Sequence, residues 1–180
     1  MGWFSPVKGS YPSLAQVDKT LPIKDGVDEI KRGTIVALEA DSSGKSNEGV
    51  WDVAEKTDKI LYVALQDYTD TTAGYAGSSF DPNGGQPRIT ALSLDQDGEY
   101  ETSVFDSTKT YTVGEPLYVG DNGVLTNDGT ASTDTVVGYV TAKANSRWIN
   151  NAIALPNGGT DPRLAIRTGA AQPVLRFRTK

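Results

Sequence analysis

A strand-and-turn unit that occurs twice constrains the fold of this chain more than any other sequence feature. Its second copy spans residues 110–144, where Gly114 precedes the short apolar run Leu117–Val119. A turn at Asp121-Asn122-Gly123 follows, then a second short apolar run and a closing strand over Thr135–Thr141. Apolar runs separated by a turn are typical of paired antiparallel strands. The unit therefore predicts β-structure.

The first copy of the unit begins at Lys31-Arg32-Gly33, continues through the apolar strand Thr34–Leu38, turns within Asp41–Gly49 and closes with Ile60–Leu65. Gly33 and Gly114 are 81 residues apart, and Tyr62 and Tyr139 are 77 residues apart. The copies share a pattern of glycines, strands and turns more than identical residues. We therefore predict a weak internal duplication, that is, a β-domain built of two related halves.

The dipeptide Asn122-Gly123 lies between two apolar runs, which is the strongest short-range signal for a β-hairpin. Both central residues of a type I′ turn need positive φ, and Asn and Gly are the residues that adopt it most readily. The turn at Asp121-Asn122-Gly123 is therefore predicted to set the register of the second copy.

The central region, residues 27–155, alternates in the way strands do, with β-branched and aromatic runs bounded by Gly, Asn, Asp and Ser. No segment shows the sustained 3.6-residue period of an amphipathic helix. We expect a mainly β fold, a small β-barrel or β-sandwich-like domain, with a projecting loop at residues 70–86. The predicted strands are Thr34–Glu39, Ile60–Asp67, Arg88–Leu94, Tyr100–Phe105, Leu117–Val119, Val136–Lys143 and Trp148–Leu155.

The N-terminal segment, residues 1–26, has three prolines among scattered apolar residues. Proline at this density blocks helix propagation and pairing within a central strand, so the segment is predicted to be an extended arm. Trp3 and Phe4 are unusual in a purely solvated tail, where hydrophobic residues are scarce. They predict that the arm packs either on its own domain or on a neighbouring subunit.

The C-terminal segment, residues 156–180, changes in composition and is predicted to be a basic arm. Asn157-Gly158-Gly159 would form its joint. Its last part, Val174–Arg178, alternates apolar and basic residues, which is typical of an edge strand able to pair with another sheet. The alternative interpretation is a tail strand that closes its own domain.

The composition excludes several classes of function. The chain has no cysteine and no histidine, so thiolate metal sites, disulfides, histidine-ligated zinc and histidine-based catalytic triads are all excluded. The formal net charge of −6 argues against a nucleic-acid partner, and no apolar stretch approaches the length of a membrane span. We expect no cofactor, no metal and no catalytic residue.

Three apparent motifs do not meet the requirements of the chemistry they suggest. Gly44-Lys45-Ser46 lacks the earlier glycine and the following helix of a phosphate-binding loop. The stretch Asp95–Glu99 has its glycine at the wrong position for a calcium loop, so a hairpin turn is predicted there. The carboxylates Glu99 and Glu101, like Asp95 and Asp97, have strand spacing and are predicted to lie on an exposed acidic sheet face.

Residues on both sides of the Asn-Gly turn carry a family resemblance. They are Gly98–Thr102, Phe105, Thr110–Val119, Gly123–Thr126 and Val137–Val140, and residues 31–38 with 60–65 repeat the same pattern. This pattern resembles that of the head decoration (cement) proteins of tailed bacteriophages, roughly over residues 27–155. Similar β-rich patterns occur in other phage structural proteins, tail components included.

The resemblance implies a structural virion protein that is not an enzyme, made in the host cytoplasm and bound to the outside of the expanded capsid. Its partner would be the major capsid protein, and it would form a homo-oligomer, a dimer or a trimer. The division implied is an arm over 1–26, a β decoration domain over 27–155 and a basic arm over 156–180. The loop at 70–86 and the basic arm depart from the family pattern.

The residues predicted to contact partners are the aromatic and basic side chains of the two arms. They are Trp3, Phe4, Leu175, Arg176, Phe177 and Arg178. The two arginines would share one face of the terminal strand and meet the acidic region 95–134 of an adjacent subunit or the shell.

Two functions of other classes are also compatible with the sequence. A carbohydrate-binding module would use Trp51, Tyr68, Tyr75 and Phe80 as an exposed stacking platform. A carboxylate-dependent hydrolase would need two carboxylates about 5–10 Å apart in a cleft.

Overall fold

Two antiparallel β-sheets make up most of the described fold in the computed structural model of this chain. The structure describes residues 4–6, 18–42, 44, 46–69, 88–94, 98–147, 153–154, 160–161 and 172–179. The strands in chain order are β1 (Phe4–Pro6), β2 (Asp18–Pro22), β3 (Glu29–Ile30), β4 (Ile35–Glu39), β5 (Val50–Val53), β6 (Leu61–Ala64), β7 (Tyr68–Thr69), β8 (Arg88–Ser93), β9 (Glu99–Thr102), β10 (Pro116–Val119), β11 (Leu125–Thr126), β12 (Val136–Arg147), β13 (Ile153–Ala154), β14 (Thr160–Asp161) and β15 (Gln172–Thr179).

The predicted mainly β fold is confirmed, in the form of open sheets and not a closed barrel. Sheet 1 has the strand order β2-β8-β6-β4-β5, and sheet 2 has the order β1-β9-β15-β12-β10-β11. Strand β3 pairs with β7, and β13 pairs with β14. Over the described residues the helical structure consists of one 3-10 turn at Asp121–Gly123.

The two sheets have the same topology. Sheet 1 is built from residues 18–93, which we call half 1, and sheet 2 from residues 99–179, which we call half 2, with β1 added at its edge. In each half the first sheet strand lies at one edge and is followed across the sheet by the fifth, fourth, second and third. The strands β2, β4, β5, β6 and β8 therefore match β9, β10, β11, β12 and β15.

Hydrogen bonds show that the duplication extends to single residues. The N–H of Gly33 donates to the Ala64 carbonyl at 2.8 Å, and the N–H of Gly114 donates to the Val140 carbonyl at 2.8 Å. Both glycines have positive φ, 97° and 87°. The predicted match of Gly33 with Gly114 therefore corresponds to one structural position.

The match of the two tyrosines is wrong by one residue. Since Ala64 corresponds to Val140, Tyr62 corresponds to Gly138 and not to Tyr139. Tyr62 lies opposite Val36 in half 1, whereas Tyr139 lies opposite Pro116 in half 2. The spacing misled because the loops between the matched strands differ in length.

The largest hydrophobic cluster, which we call the shared core, joins the two halves. One face of sheet 2 supplies Tyr100, Leu117, Leu175 and Phe177, and sheet 1 supplies side chains of alternate residues such as Ile35. The opposite face of sheet 1 is buried as well. Its cluster contains Leu21, Val36, Trp51, Tyr62, Ala64, Ile89 and Ala91, packed with Ile30 of β3 and Tyr68 of β7.

The predicted hairpin at Asp95–Glu99 lies mostly outside the described residues, and the strands on either side of it do not pair with each other. Strand β8 ends in sheet 1 and β9 begins in sheet 2, so the segment joins the two halves of the duplication. Local turn residues cannot distinguish a hairpin from such a connection, because both need the chain to change direction. Strand β5 was not predicted, since Trp51-Asp52 interrupts the apolar run there.

The predicted edge strand Val174–Arg178 is wrong as well. It lies within β15, which pairs with β9 on one side and with β12 on the other. The alternative, a tail strand that closes its own domain, is confirmed for these residues. In half 1 the matching strand is β8, which lies between β2 and β6. In each half, the last strand of the sheet is therefore an internal strand that pairs on both sides.

The N-terminal segment also contributes strands to both sheets. Strand β1 pairs with β9 at the edge of sheet 2, and β2 pairs with β8 at the edge of sheet 1. Phe4 is 2% exposed and stacks on Tyr100 with ring centroids 5.0 Å apart. Of the two interpretations of the arm, packing on its own domain holds for Phe4, and contact with a neighbouring subunit stays a prediction.

The predicted Asn-Gly turn has the expected backbone. Asn122 has φ 57° and ψ 32°, and Gly123 has φ 68°. The turn joins β10 to β11, as the hairpin prediction requires. A Cβ on Gly123 would overlap the carbonyl oxygen of Ile35 in β4. The turn therefore also packs closely on the other half.

Candidate interaction surface

The face of sheet 2 that points away from the shared core carries a row of paired charges, which we call the outer face. Strands β9 and β15 place Glu101 opposite Arg176 and Glu99 opposite Arg178. The Arg176 guanidinium contacts the Glu101 carboxylate through Nη2 at 2.5 Å and through Nε at 3.0 Å. The predicted sharing of one face by the two arginines follows from their spacing in β15.

Strand β12 adds neutral polar groups to the outer face. Thr141 donates a hydrogen bond through Oγ1 to the Glu99 carboxylate at 2.6 Å. Tyr139 lies opposite Arg178 and is 42% exposed. Arg178 is exposed too, whereas Glu101 is 7% exposed. The outer face therefore combines a partly buried ion pair with an accessible tyrosine and arginine.

The same positions in half 1 have a different chemistry. Glu101 and Arg176 correspond to Thr20 and Thr90, whose hydroxyls are 2.8 Å apart. Arg178 corresponds to Leu92, which is in the shared core. The face of sheet 1 that is buried against half 2 is therefore the counterpart of the face that sheet 2 exposes.

The structure separates the predicted partner-contacting residues into two groups. Phe4, Leu175 and Phe177 are at most 2% exposed and lie in the shared core, so they are not available to a partner on this fold. Burial of Leu175 or Phe177 against another subunit is therefore a wrong prediction. Arg176 and Arg178 lie on the outer face. Trp3 lies outside the described residues.

Arg176 has an acidic partner, Glu101, within its own chain. Glu101 belongs to the acidic region 95–134 that was predicted to bind the arginines of an adjacent subunit. Sequence reasoning missed this intramolecular pair. Glu99 with Glu101 and Arg176 with Arg178 each have i, i+2 spacing. This spacing would have predicted the ion pair if the two strands had been known to be neighbours.

Other charges of half 2 lie on loops. Asp106 accepts hydrogen bonds from the hydroxyl and the N–H of Thr108, which lower the pKa of its carboxyl. The ammonium of Lys109 lies 2.9 Å from Asp128 and lowers the pKa of Asp128. Burial raises the pKa of the Tyr111 hydroxyl, which donates to the Asp106 carbonyl at 2.8 Å. These contacts fix the loop conformations.

A charged cluster of half 1 lies at the β4–β5 edge of sheet 1. Lys24 Nζ donates hydrogen bonds to the carboxylates of Asp52 and Glu39, and these bonds raise the pKa of the Lys24 amine. The amine therefore stays protonated and is not a nucleophile. The cluster ties the segment after β2 to two strands.

The exposed aromatic platform of a carbohydrate-binding module is contradicted at two of its four residues. Trp51 is fully buried, and its indole N–H donates to the Ile89 carbonyl at 3.1 Å. Tyr68 is 7% exposed and belongs to the same cluster. Tyr75 and Phe80 lie outside the described residues, as does the loop predicted to project at residues 70–86.

The remaining motifs have structural roles where the structure describes them. Ser46 donates its N–H to the Asp41 carboxylate at 2.6 Å, so Ser46 is held by a side chain of its own loop. Glu101 is engaged by Arg176 and Glu99 by Thr141. Asp95 and Asp97 lie outside the described residues.

Searches for a metal site and for a membrane span cover the described part of the chain only. No group of three or more Asp or Glu side chains there is placed to hold a metal ion. No helix in those residues is long and apolar enough to cross a membrane.

Comparison of the chain with known protein families, with characterised proteins and with solved structures found no match.

Proposed function

We propose that this chain is a structural virion protein that decorates the outer surface of a tailed-phage capsid and stabilises the shell. The proposal rests on the resemblance of residues 27–155 to head decoration proteins. The observation that carries it furthest is the outer face of sheet 2. Tyr139 and Arg178 are exposed there on strands that pair on both sides.

A rigid sheet face is a suitable docking element for a large, repetitive partner. Main-chain hydrogen bonds hold β15 between β9 and β12, so binding would order few backbone groups and would lose little entropy. Tyrosine and arginine are among the side chains that contribute most to protein interfaces. The partner would be the major capsid protein, present in many identical copies.

Modest affinity at each site is sufficient for such a protein. Copies that also contact each other on the shell gain from multivalency, because each neighbour raises the effective concentration of the next. The buried Glu101–Arg176 pair would then keep the face in one conformation, while Tyr139 and Arg178 make the contact. The protein would act on the capsid exterior without a cofactor.

The test is electron microscopy of expanded capsids from the same genome, with and without the purified protein. We expect density on the outer surface of the shell and a higher resistance of decorated particles to heat. Absence of bound protein at saturating concentration would contradict the proposal.

A matched pair of variants locates the contact. The double variant Tyr139→Ala with Arg178→Glu should lower capsid occupancy at least tenfold at a concentration that half-saturates the wild type. Val113→Ala is the control, since Val113 is 59% exposed on a loop outside the sheets. Equal occupancy of the double variant and the control would move the contact away from the outer face.

A further inference from the structure

Among the described residues, the duplication leaves one strand position filled in half 2 and unfilled in half 1. In sheet 2 the edge of β9 is covered by β1, with Phe4, Ser5 and Pro6 opposite Thr102, Glu101 and Tyr100. Strand β2 corresponds to β9. Within the described part of the chain, β2 itself pairs with β8 alone and lies at the edge of sheet 1, and the residue after it, Ile23, bridges to Trp51 of β5. A sixth strand would therefore complete sheet 1 as β1 completes sheet 2.

We propose that the free edge of β2 pairs with β2 of a second copy of this chain, to give a two-fold symmetric dimer. Strand β1 runs antiparallel to β9, so the open position calls for an antiparallel strand. A two-fold axis perpendicular to the strands makes two identical edges antiparallel. An open edge exposes N–H and C=O groups that such pairing satisfies.

The side chains of β2 are self-complementary about Thr20. By the match with half 2, the added strand lies opposite Lys19, Thr20 and Leu21. Pairing centred on Thr20 places the Thr20 residues of the two copies side by side. The Thr20–Thr90 hydroxyl pair is already 2.8 Å apart, so the dimer would have a row of four threonines. Cross-strand threonine pairs are favourable.

The remaining positions fit the same register. Lys19 would lie opposite Leu21 of the second copy, where its aliphatic stem can cover the leucine while the ammonium stays in water. Leu21 is 2% exposed and already packs in its own half, so the contact adds to an existing cluster. Pro22 ends the strand and has no N–H to donate, which confines the pairing to a short segment.

The dimer is independent of capsid binding, and its test contains no capsid. Light scattering and sedimentation of the full chain should give the mass of two copies. Thr20→Lys should raise the dissociation constant at least tenfold, because it places two ammonium groups side by side at the axis. Thr57→Lys, at an exposed turn of the same half, is the control and should stay within twofold.

A cysteine cross-link supplies a readout that does not depend on the effect of a charge. The chain has no cysteine, and directly opposite residues in an antiparallel pair have Cα atoms about 4.5–5.5 Å apart, within the range of a disulfide. Oxidised Thr20→Cys should form a covalent dimer that persists on dilution, whereas Thr57→Cys should form little covalent dimer.

The outcomes separate cleanly. A monomeric wild type overturns the proposal, as does a dimer in which Thr20→Cys cross-links no faster than Thr57→Cys. If Thr20→Lys also lowers the melting temperature, the cysteine result decides alone. A chain that fails to dimerise can still decorate a capsid, so failure here leaves the proposed function to its own test.

Discussion

The two halves of this molecule share a topology and differ in what their sheets face. Sheet 1 is buried on both sides, by half 2 on one and by its own β3 and β7 region on the other. Sheet 2 buries one side and presents the Glu101–Arg176 ion pair on the other. Position by position, the apolar interface of half 1 corresponds to the charged outer face of half 2.

This difference shows how one backbone pattern can supply both an internal interface and a surface. Thr20 and Thr90 of half 1 stand where half 2 has Glu101 and Arg176, with the same register between strands. Main-chain hydrogen bonds set the pairing of the strands, and the side chains determine whether a face is buried against protein or exposed to water.

Removing β15 is the strongest way to break the match between the halves. A chain truncated after residue 171 loses the strand between β9 and β12, together with Leu175 and Phe177 of the shared core. We expect loss of cooperative unfolding in circular dichroism. The single variant Phe177→Ala should cost about 3–5 kcal/mol in denaturant titration. A truncated chain that melts like the full chain would contradict the assignment of β15 to the core.

Glycine variants test whether Gly49 and Gly123, which precede the matching strands β5 and β11 at equivalent positions, have similar constraints. Gly49 and Gly123 both have positive φ, and a Cβ on either would overlap a main-chain oxygen, whereas Gly114 has positive φ and open space. Gly114→Ala should cost about 1–3 kcal/mol through backbone strain alone. Gly49→Ala and Gly123→Ala should cost more, because the overlap adds to the strain. Equal melting temperatures for all three variants would show that the overlap relaxes freely.

The Glu101–Arg176 pair can be compared with its threonine counterpart. Glu101→Gln leaves the half-buried Arg176 guanidinium with a weaker partner at the buried Glu101 position, and we expect a loss of about 1–3 kcal/mol in stability. Thr20→Val removes the equivalent hydroxyl of half 1 from an exposed strand edge and should cost less than about 1 kcal/mol. A larger loss for the threonine variant would reverse the predicted ranking of the two pairs.

The smallest expected effect is the response to acid, and it belongs to half 2. Asp106, Asp128 and Asp134 have pKa values below the ordinary 3.8, through hydrogen bonds from Thr108, from Lys109 and from the Thr130 N–H. Because their folded-state pKa values are lowered, these aspartates stabilise the fold above about pH 4, and this stability is lost as the pH falls through the lowered pKa values. The loops holding these aspartates should lose amide protection first as the pH falls below about 4.

The chain has no histidine, so melting temperature should change little between about pH 5 and 8. A steep change in that window would point to a buried carboxyl group. The control for this measurement is Glu55→Gln, a half 1 variant that lacks one exposed carboxylate.

Several features of the fold could be predicted because they depend on local residues. Alternation of apolar residues gave β-structure, and Asn122-Gly123 gave a turn with positive φ at both residues. The duplication could be detected at Gly33 and Gly114, since both accept a backbone that other residues adopt rarely. The tyrosine match failed because loops of different length shift the spacing between strands.

The sequence by itself determined the strand and turn content, the positive-φ glycines and the classes of chemistry that a chain without cysteine and histidine cannot perform. Only the tertiary structure decided that Val174–Arg178 is a central strand, that Asp95–Glu99 joins two sheets and that Arg176 binds Glu101. The alternation of residues along a strand indicates which of its side chains share a face, but not which other strand pairs with it. Glu101 and Arg176 are 75 positions apart in the sequence. Their pairing is set by the burial of whole sheets, and no local sequence pattern indicates that burial.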